Sequence, residues 1–426
     1  MTPDPTITEV RLTPVLVADP PLLNTQGVHQ PYTPRLIVEV VTAGGATGLG
    51  ETYGDTKYLE LARPLAARLT GHSVMDVNAL FSLDLAVDES RVRGAVDAGG
   101  LRGVQSADKL RLSVLSAFEV ACLDAQGRAL GLPVHALLGG KLRDSVEYSA
   151  YLFYKWAAHP GGAPDDWGAA LDPAGVVAQA RALSERHGFT SFKLKGGVFP
   201  PEEEIAAVRA LAEAFPGQPL RLDPNGAWSV PTALKVAAEL ADLLEYLEDP
   251  VLGTDAMAEV AALTGVPLAT NMCVTTFGEI KEAFIRDAVQ VVLSDHHYWG
   301  GLRNTRHLAA ICAAFGVGVS MHSNTHLGIS LAAMTQVAAT VPNLHHACDS
   351  HYPWQAEDVL TERVPFTAGH VTVSDRPGLG VDLDRDALAR LHHRWLTADA
   401  ALRDRDDSAA MRVADPSWRT PLMPRW

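Results

Sequence analysis

The first candidate for chemistry in this sequence is a pair of lysines two residues apart. Lys193 and Lys195 alternate with the apolar Phe192 and Leu194, which is typical of a β-strand whose successive side chains point to opposite faces. Both ammonium groups therefore project to the same side. A neighbouring positive charge and desolvation each lower a lysine pKa, from about 10.4 toward the roughly 7 to 8 of a general base. For the pair taken alone, a solvated strand end is the alternative interpretation.

Further short apolar runs follow downstream, and each ends in a polar residue. Successive polar ends are separated by roughly 23 to 28 residues, close to the length of one βα unit. Helical periodicity fills the intervals, for example at residues 201–215, 231–245, 276–287 and 302–315. Repeated βα units predict a parallel sheet closed into a barrel with its site at the carboxyl ends of the strands. The polar ends after the lysines are Asp223, Glu248, Asn271, Asp295 and His322.

Three successive strand ends predict a metal site. Asp223, Glu248 and Asn271 supply two carboxylates and an amide oxygen, which are hard ligands suited to Mg²⁺. For any one of them alone, a helix cap or turn residue is the commoner role. Because three fall in phase on neighbouring strands, the metal site is favoured.

Two later strand ends predict an acid–base pair. A carboxylate from Asp295 bonded to one imidazole nitrogen of His322 would leave the other nitrogen as acid or base. A single histidine is more often structural, and the chain has 16. A metal flanked by a lysine and a His–Asp pair is nevertheless suited to removing a proton α to a carboxylate and stabilising the enediolate.

Length and composition limit the remaining possibilities. The 426 residues suit a barrel plus a second domain. The net charge of −15 argues against nucleic acid or an anionic membrane as partner. No stretch has the pattern of a signal peptide or membrane span. Four widely spaced cysteines, with no disulfide framework, predict a reduced cytoplasmic protein. They are Cys122, Cys273, Cys312 and Cys348.

The two ends of the chain are organised differently from the middle. Strands and then helices predict an α+β capping domain at residues 1–140, ahead of the barrel at 141–374. Residues 375–426 are expected to pack back on the capping domain. The loop at 22–29 is either a mobile lid over the site or a surface connection.

Ten stretches of the sequence, given at the end of this paragraph, together resemble the enolase superfamily. Within it, they resemble the mandelate-racemase-like branch, and within that branch the glucarate dehydratases. The resemblance runs from about residue 7 to the C-terminus. It implies a modified (β/α)7β barrel with a capping domain, and barrels of this branch commonly form homo-oligomers. The stretches that carry it are 22–29, 97–100, 151–153, 193–195, 223–225, 248–250, 269–272, 322–324, 347–351 and 377–380.

The resemblance also implies a hydro-lyase reaction of acid-sugar catabolism, the dehydration of D-glucarate and L-idarate to 5-dehydro-4-deoxy-D-glucarate. Lys195 would be one base, and His322, oriented by Asp295, the other. His322 would accept the proton of L-idarate and could protonate the departing hydroxyl. Lys193 would hold the substrate carboxylate beside Mg²⁺. The hydroxyls and distal carboxylate of the hexarate would be bound by His29, Ser106, Tyr151, Asn324, His351 and Arg419.

Three positions depart from the family pattern. Gln105-Ser106 carries a serine where a threonine is usual. Gly328 replaces the usual aspartate, so the sequence does not identify the side chain that supports the rim of the barrel at this position. The C-terminal arginine falls in a shortened tail, where Arg419 is the first candidate and Arg425 the second.

Two other functions stay open at the level of sequence. The first is a dehydratase or epimerase for another acid sugar such as galactarate, because stereochemistry depends on the placement of the capping loops. The second is a catalytically weak paralogue that binds a diacid or a partner protein. Such a paralogue would be expected to lose a base or a metal ligand, and all of them are present in the sequence.

Overall fold

The computed structural model describes residues 3–83, 85–87 and 106–426. The family-like stretch at 97–100 and Gln105 lie outside the described residues. Within the described ranges, no helix is both long enough and apolar enough to cross a bilayer.

The middle of the chain is a (β/α)7β barrel, as predicted. Within the described residues, eight parallel strands alternate with seven helices. The predicted helix at 231–245 was too long, because a strand begins at Leu244. The elements in order are β6 (Ser145–Phe153), α5 (Pro173–His187), β7 (Phe192–Lys195), α6 (Pro201–Ala214), β8 (Leu220–Asp223), α7 (Val230–Leu240), β9 (Leu244–Glu248), α8 (Thr254–Leu263), β10 (Leu268–Thr270), α9 (Phe277–Ile285), β11 (Val291–Leu293), α10 (Leu302–Ala314), β12 (Gly318–Ser320), α11 (Gly328–Ala338) and β13 (Cys348–Ser350).

The strand order runs β12-β11-β10-β9-β8-β7-β6-β13. The ring is completed between β13 and β12, where the Asp349 N–H donates to the Met321 carbonyl at 2.8 Å and the Ser320 hydroxyl donates to the Ala347 carbonyl at 2.9 Å. A short strand, β14 (His370–Thr372), pairs antiparallel with β6. Consecutive carboxyl ends therefore face one rim, which is where this architecture places functional side chains.

The N-terminal capping unit is an antiparallel sheet covered by a long buried helix. The sheet consists of β1 (Ile7–Ala18), β4 (Tyr32–Thr42) and β5 (Thr47–Tyr53), and the helix is α3 (Ala107–Leu130). Helix α3 lies so close to β5 that a Cβ at Gly50 would stand 1.9 Å from the Ala117 carbonyl oxygen. Glycine is therefore required at this contact. The capping unit comprises β1 (Ile7–Ala18), β2 (Leu23–Asn24), β3 (Gly27–Val28), β4 (Tyr32–Thr42), β5 (Thr47–Tyr53), α1 (Thr56–Leu69), α2 (Val77–Ser82) and α3 (Ala107–Leu130), and α4 (Val134–Leu137) leads to the barrel.

The C-terminal segment contacts the capping unit through α12 (Arg385–Thr397), with α13 (Ala409–Ala414) following. Arg394 donates to the Leu16 carbonyl at 3.0 Å, and His392 Nδ1 lies 2.7 Å from the Pro14 carbonyl oxygen. Both acceptors belong to β1. The exact domain boundaries at 140 and 374 stay predictions.

Two buried carboxylates of the capping unit cap helices of the barrel. Glu51 accepts from the backbone N–H of Leu327 at 2.8 Å and of Ser330 at 2.9 Å, at the start of α11. Glu119 accepts from the backbone N–H of Leu302 at 3.0 Å, at the start of α10. Negative charge at a helix N-terminus is favourable. Burial raises the pKa of Glu119 to about 7.

Replacing Gly50 by alanine should destabilise the protein by about 3 kcal/mol, because the added methyl meets helix backbone that cannot move aside alone. Thermal or urea unfolding of Gly50→Ala would measure this. Gly265→Ala is the matched control, since a Cβ there meets nothing within 4 Å. Equal unfolding midpoints for the two variants would contradict the close packing of α3 on β5.

Candidate active site

The two lysines of β7 are buried at the rim and surrounded by oxygen atoms. Lys195 Nζ donates to Asp223 Oδ2 at 2.8 Å and to Asn225 Oδ1 at 2.9 Å. Lys193 Nζ donates to Glu248 Oε1 at 2.6 Å and to Asp349 Oδ2 at 2.7 Å. Both lysines are inaccessible to solvent, so the solvated strand end considered from the sequence is excluded.

Strand register explains why these groups meet. Lys195 is paired with Asp223 across β7 and β8, and Lys193 with Tyr151 across β6 and β7. The Lys193 ammonium lies 4.6 Å from the centre of the Tyr151 ring, and the Tyr151 hydroxyl donates to Asp223 Oδ2 at 3.4 Å. Burial raises the pKa of Tyr151 well above its ordinary value, which keeps this hydroxyl a donor.

Lys193 is the cation of a carboxylate cluster. Burial alone would lower its pKa, but the charges of Asp349 and Glu248 reverse this and raise the pKa well above its ordinary value. Burial and the nearby Asp223 raise the pKa of Glu248. Asp223 also lies 3.4 Å from Lys193 Nζ. Three carboxylates therefore share two ammonium groups within one buried volume.

The predicted magnesium ligands lie together in this cluster. Asn271 Nδ2 is 3.2 Å from Glu248 Oε1, and the backbone N–H of Asn271 donates to Asp249 Oδ2 at 2.8 Å. Asp249 and Asn225 both adopt left-handed backbone, at φ +39° and +54°, a conformation that non-glycine residues rarely adopt. The buried carboxylate and amide oxygens of Asp223, Glu248 and Asn271 are hard donors that suit Mg²⁺.

The predicted acid–base pair is formed. His322 Nδ1 lies 3.1 Å from Asp295 Oδ2, and among the described residues its Nε2 has no hydrogen-bond partner. Burial lowers the pKa of His322 despite the nearby carboxylate, which keeps the imidazole neutral. The other carboxylate oxygen, Asp295 Oδ1, lies 2.7 Å from His297 Nδ1, and His297 Nε2 lies 3.0 Å from the Ser330 hydroxyl. Sequence reasoning missed His297.

A second polar cluster surrounds the predicted substrate ligands His29 and His351. Their rings stack with centres 5.7 Å apart. His29 Nδ1 lies 3.1 Å from Asp19 Oδ2, and an Arg405 guanidinium nitrogen lies 3.7 Å from the same oxygen. Burial, followed by the charge of Arg405, lowers the pKa of His29 to about 3. The neutral imidazole can then exchange hydrogen bonds with hydroxyl groups.

Sequence reasoning missed two residues of this cluster, Asp19 and Arg405. Arg405 is buried, and it donates to Asp407 Oδ1 at 3.0 Å and to the Thr325 hydroxyl at 3.1 Å. The spacing of Asp19, His29 and His351 would also allow a metal ion. The nearby guanidinium opposes a cation, so the cluster favours an anionic or hydroxyl group.

The loop at 22–29 is buried throughout, so it covers the barrel rather than running over the surface. The Leu23 N–H donates to the Tyr154 carbonyl at 2.7 Å, and the Val28 N–H donates to the Asp407 carbonyl at 2.9 Å. The loop therefore links the end of β6 to the C-terminal segment.

Comparisons with known proteins identify the family of this chain. Residues 7–139 match the mandelate racemase / muconate lactonizing enzyme N-terminal domain, and residues 175–387 match the enolase C-terminal domain-like family. The chain belongs to the enolase superfamily. It is an enzyme of that superfamily.

Three similar proteins illustrate the relationship. A probable glucarate dehydratase from Streptomyces coelicolor is 80% identical, over 100% of both chains. The structure of an enolase from Thermobispora bispora complexed with magnesium and formate is 55% identical, covers 99% of this chain and 100% of that one, and has a TM-score of 0.93. An enolase from Pseudomonas fluorescens with bound magnesium, potassium and tartrate is 46% identical, covers 99% of each chain and has a TM-score of 0.92.

In this member of the enolase superfamily, three of the predicted substrate ligands lie in different environments. Ser106 is exposed and caps α3, accepting from the Lys109 N–H at 3.0 Å. Asn324 is buried, with its Oδ1 accepting from the Thr325 N–H at 2.7 Å. Arg419 is exposed and donates to the Pro416 and Trp418 carbonyls of its own segment. The structure therefore brings neither Ser106 nor Arg419 to the lysines.

At Gly328, the position where the family resemblance led us to expect an aspartate, the carboxylate of Asp358 lies close by. A Cβ at Gly328 would lie 2.6 Å from Asp358 Oδ2. Asp358 also accepts from the Gly328 N–H at 3.3 Å and from the Tyr352 hydroxyl at 2.5 Å. A carboxylate from elsewhere in the chain thus occupies the space beside residue 328.

Replacing Lys193 by methionine should cost about 3 to 5 kcal/mol of stability in metal-free buffer, since its carboxylate partners lose a buried counter-charge. Magnesium should restore more stability to Lys193→Met than to the unsubstituted protein, because it supplies that charge. Thermal unfolding with and without Mg²⁺ measures both effects.

The matched control is Lys235→Met, which removes an exposed pair with Glu202 worth at most about 1 kcal/mol. The carboxylate-cluster interpretation would be wrong if Lys193→Met unfolded at the same temperature as this control, or if Mg²⁺ stabilised neither protein.

Proposed function

We propose that this enzyme is a Mg²⁺-dependent hydro-lyase that dehydrates D-glucarate and L-idarate to 5-dehydro-4-deoxy-D-glucarate. A base removes the proton α to one carboxylate, the resulting enediolate collapses, and the β-hydroxyl leaves as water after protonation. Bases on both faces also permit epimerisation of the two diacids.

One observation carries this proposal. The candidate bases lie on opposite sides of the strand ring, Lys195 at the end of β7 and His322 after β12. The three candidate metal ligands come from β8, β9 and the residue after β10, which lie between them. A substrate carboxylate held beside these three ligands would place its α-carbon between Lys195 and His322, with one base at each face.

Lys193 and Lys195 would perform different tasks. Lys193 stays charged, because its carboxylate partners raise its pKa, and so suits binding of the substrate carboxylate. Lys195 is held by Asp223 and Asn225 at hydrogen-bond distance, which orients its nitrogen for proton transfer. Mg²⁺ bound by Asp223, Glu248 and Asn271 would supply positive charge that stabilises the negative charge developing on the substrate.

His322 would serve the other face. Its lowered pKa leaves Nε2 free of a proton, while Asp295 holds the Nδ1 side. After accepting the α-proton of the opposite epimer, the imidazolium would be stabilised by Asp295 and could return a proton to a departing hydroxyl.

The distal end of the diacid would be bound by the Asp19 cluster. Arg405 supplies the positive charge for a carboxylate, and the neutral imidazoles of His29 and His351 can bond hydroxyls. This replaces Arg419, which the structure leaves exposed, as the proposed carboxylate ligand. Tyr151 and Asn324 lie on elements that border the same region, whereas Ser106 caps a helix.

The related proteins support this choice of substrate. The Streptomyces coelicolor relative at 80% identity is called a probable glucarate dehydratase. The Pseudomonas fluorescens structure holds magnesium together with tartrate, which is itself a hydroxylated diacid. The four cysteines are free thiols, in keeping with a cytoplasmic location. A homo-oligomeric state stays a prediction.

The function is tested by incubating the purified protein with Mg²⁺ and each hexarate stereoisomer in D₂O, following dehydration and deuterium uptake by proton NMR. We expect glucarate and idarate both to react, and chelation of Mg²⁺ to stop the reaction. Reaction of galactarate alone would overturn the substrate assignment and leave the metal site. If no diacid exchanged a proton, the base assignments at Lys195 and His322 would fail.

Arg405→Gln should lower kcat/KM for glucarate about a hundredfold, because a buried charge partner of the substrate carboxylate is lost. Arg419→Gln is the matched control from the same segment and should leave kcat/KM within about twofold. Steady-state kinetics with both variants decide between the two arginines. A large loss in Arg419→Gln with little change in Arg405→Gln would favour the assignment made from sequence.

A further inference from the structure

The buried side chain of Glu204 binds the backbone of the loop that follows Lys195, residues 196–200. Glu204 accepts from the backbone N–H of Gly197 at 3.0 Å through Oε2, and from those of Val198 at 2.9 Å and Phe199 at 3.1 Å through Oε1. The Glu204 side chain is inaccessible to solvent. Hydrogen bonds from three consecutive amides fix the course of this loop directly after the candidate base.

Helix capping alone does not account for Glu204. Glu202 and Glu203 share the first turn of α6 and would satisfy the helix dipole equally well. Both are exposed, and Glu202 bonds to Lys235 on the neighbouring helix. Glu204 instead faces inward, and a Cβ at Gly196 would lie 2.6 Å from its Oε2. Its carboxylate is thus packed against the loop backbone.

The last two residues of the sequence hold the same loop from the other side. Arg425 donates from its guanidinium to the Val198 carbonyl at 3.1 Å. The backbone N–H groups of Arg425 and Trp426 both donate to the Ala227 carbonyl, at 2.7 and 3.0 Å, and the Ser229 N–H donates to the Trp426 carbonyl at 2.6 Å. Residues 227–229 belong to the loop after β8.

The C-terminal dipeptide therefore ties together the two loops that follow Lys195 and Asp223. The loop after Lys195 also contacts the end of β8 directly, since the Gly196 N–H donates to the Asp223 carbonyl at 2.8 Å. Asn225 belongs to the loop after β8, so its 2.9 Å hydrogen bond from Lys195 Nζ depends on how the two loops sit against each other. A displacement of about 1 Å can cost about a hundredfold in rate.

We propose that Glu204 and Arg425 are positioning residues that clamp the loop at 196–200 against the loop after β8 and so hold Lys195 in its reactive geometry. The clamp rests on the proposed function for the role of Lys195. Neither side chain is assigned a contact with substrate. Arg425, the second sequence candidate for a substrate ligand, thereby receives a different role.

The test is Glu204→Gln, with Glu203→Gln as the matched control on the same helical turn. A glutamine presents an NH₂ group toward at least one of the three amide donors. We expect kcat with glucarate to fall at least about tenfold while KM changes less than about twofold. Hydrogen–deuterium exchange at the amides of 197–199 should be faster than in Glu203→Gln. Unchanged kcat and unchanged exchange would overturn the clamp.

Arg425→Ala and Arg425→Lys provide the second measurement, and they decide the outcome if Glu204→Gln does not fold. The clamp predicts a lower kcat at constant KM in Arg425→Ala, with recovery in Arg425→Lys, which keeps a donor. An increase in KM at constant kcat would show that Arg425 contacts the substrate and would overturn its positioning role. The exchange experiment needs no substrate, so a wild-type protein inactive on every hexarate would refute the proposed function separately from the clamp.

Discussion

The site depends on the burial of Lys193 among three carboxylates. Asp349 and Glu248 accept from it directly, and Asp223 lies within 3.4 Å. A buried charge without a partner is costly, so none of these side chains can be removed without affecting the others. Arg221 is a third cation of this buried volume, with its guanidinium 3.5 Å from Asp349. The close packing of these carboxylate oxygens, which are hard ligands, is the physical reason that the strand ends suit a divalent cation.

The barrel alone does not hold this arrangement in place. Glu51 and Glu119 come from the capping unit, yet their carboxylates cap α11 and α10 of the barrel. These two helices begin directly after the loops that carry His322 and Asp295. The capping unit therefore fixes one side of the site through helix termini, while the residues near the C-terminus contact the loops on the other side.

The polar cluster around Asp19, His29 and His351 shows how one charge, that of Arg405, selects among possible ligands. Two imidazoles and a carboxylate have the composition of a transition-metal site. Arg405 changes this, because its guanidinium lies 3.7 Å from Asp19 and disfavours a second cation. The same guanidinium lowers the pKa of His29, which leaves a neutral ring for hydroxyl groups. The diacid hypothesis thus depends on a residue contributed by the C-terminal segment.

The sequence by itself determined the barrel and the identity of the residues at its rim. Parallel strands present all their carboxyl ends on one side, so the order and spacing of Lys195, Asp223, Glu248 and His322 were enough to place them together. The boundary of α7 was less accurate, because an apolar helix face and the buried strand that follows it form one continuous pattern.

Only the tertiary structure decided which distant side chains complete the site. Asp349 joins Lys193 from 156 residues away, and Arg405 reaches Asp19 through a segment with no periodic pattern. Among several arginines near the C-terminus, sequence favoured Arg419, but the fold exposes that residue and buries Arg405. Local spacing predicts where strands end. It contains no information on how an irregular segment folds back over the rim, because that path is set by contacts with residues hundreds of positions earlier.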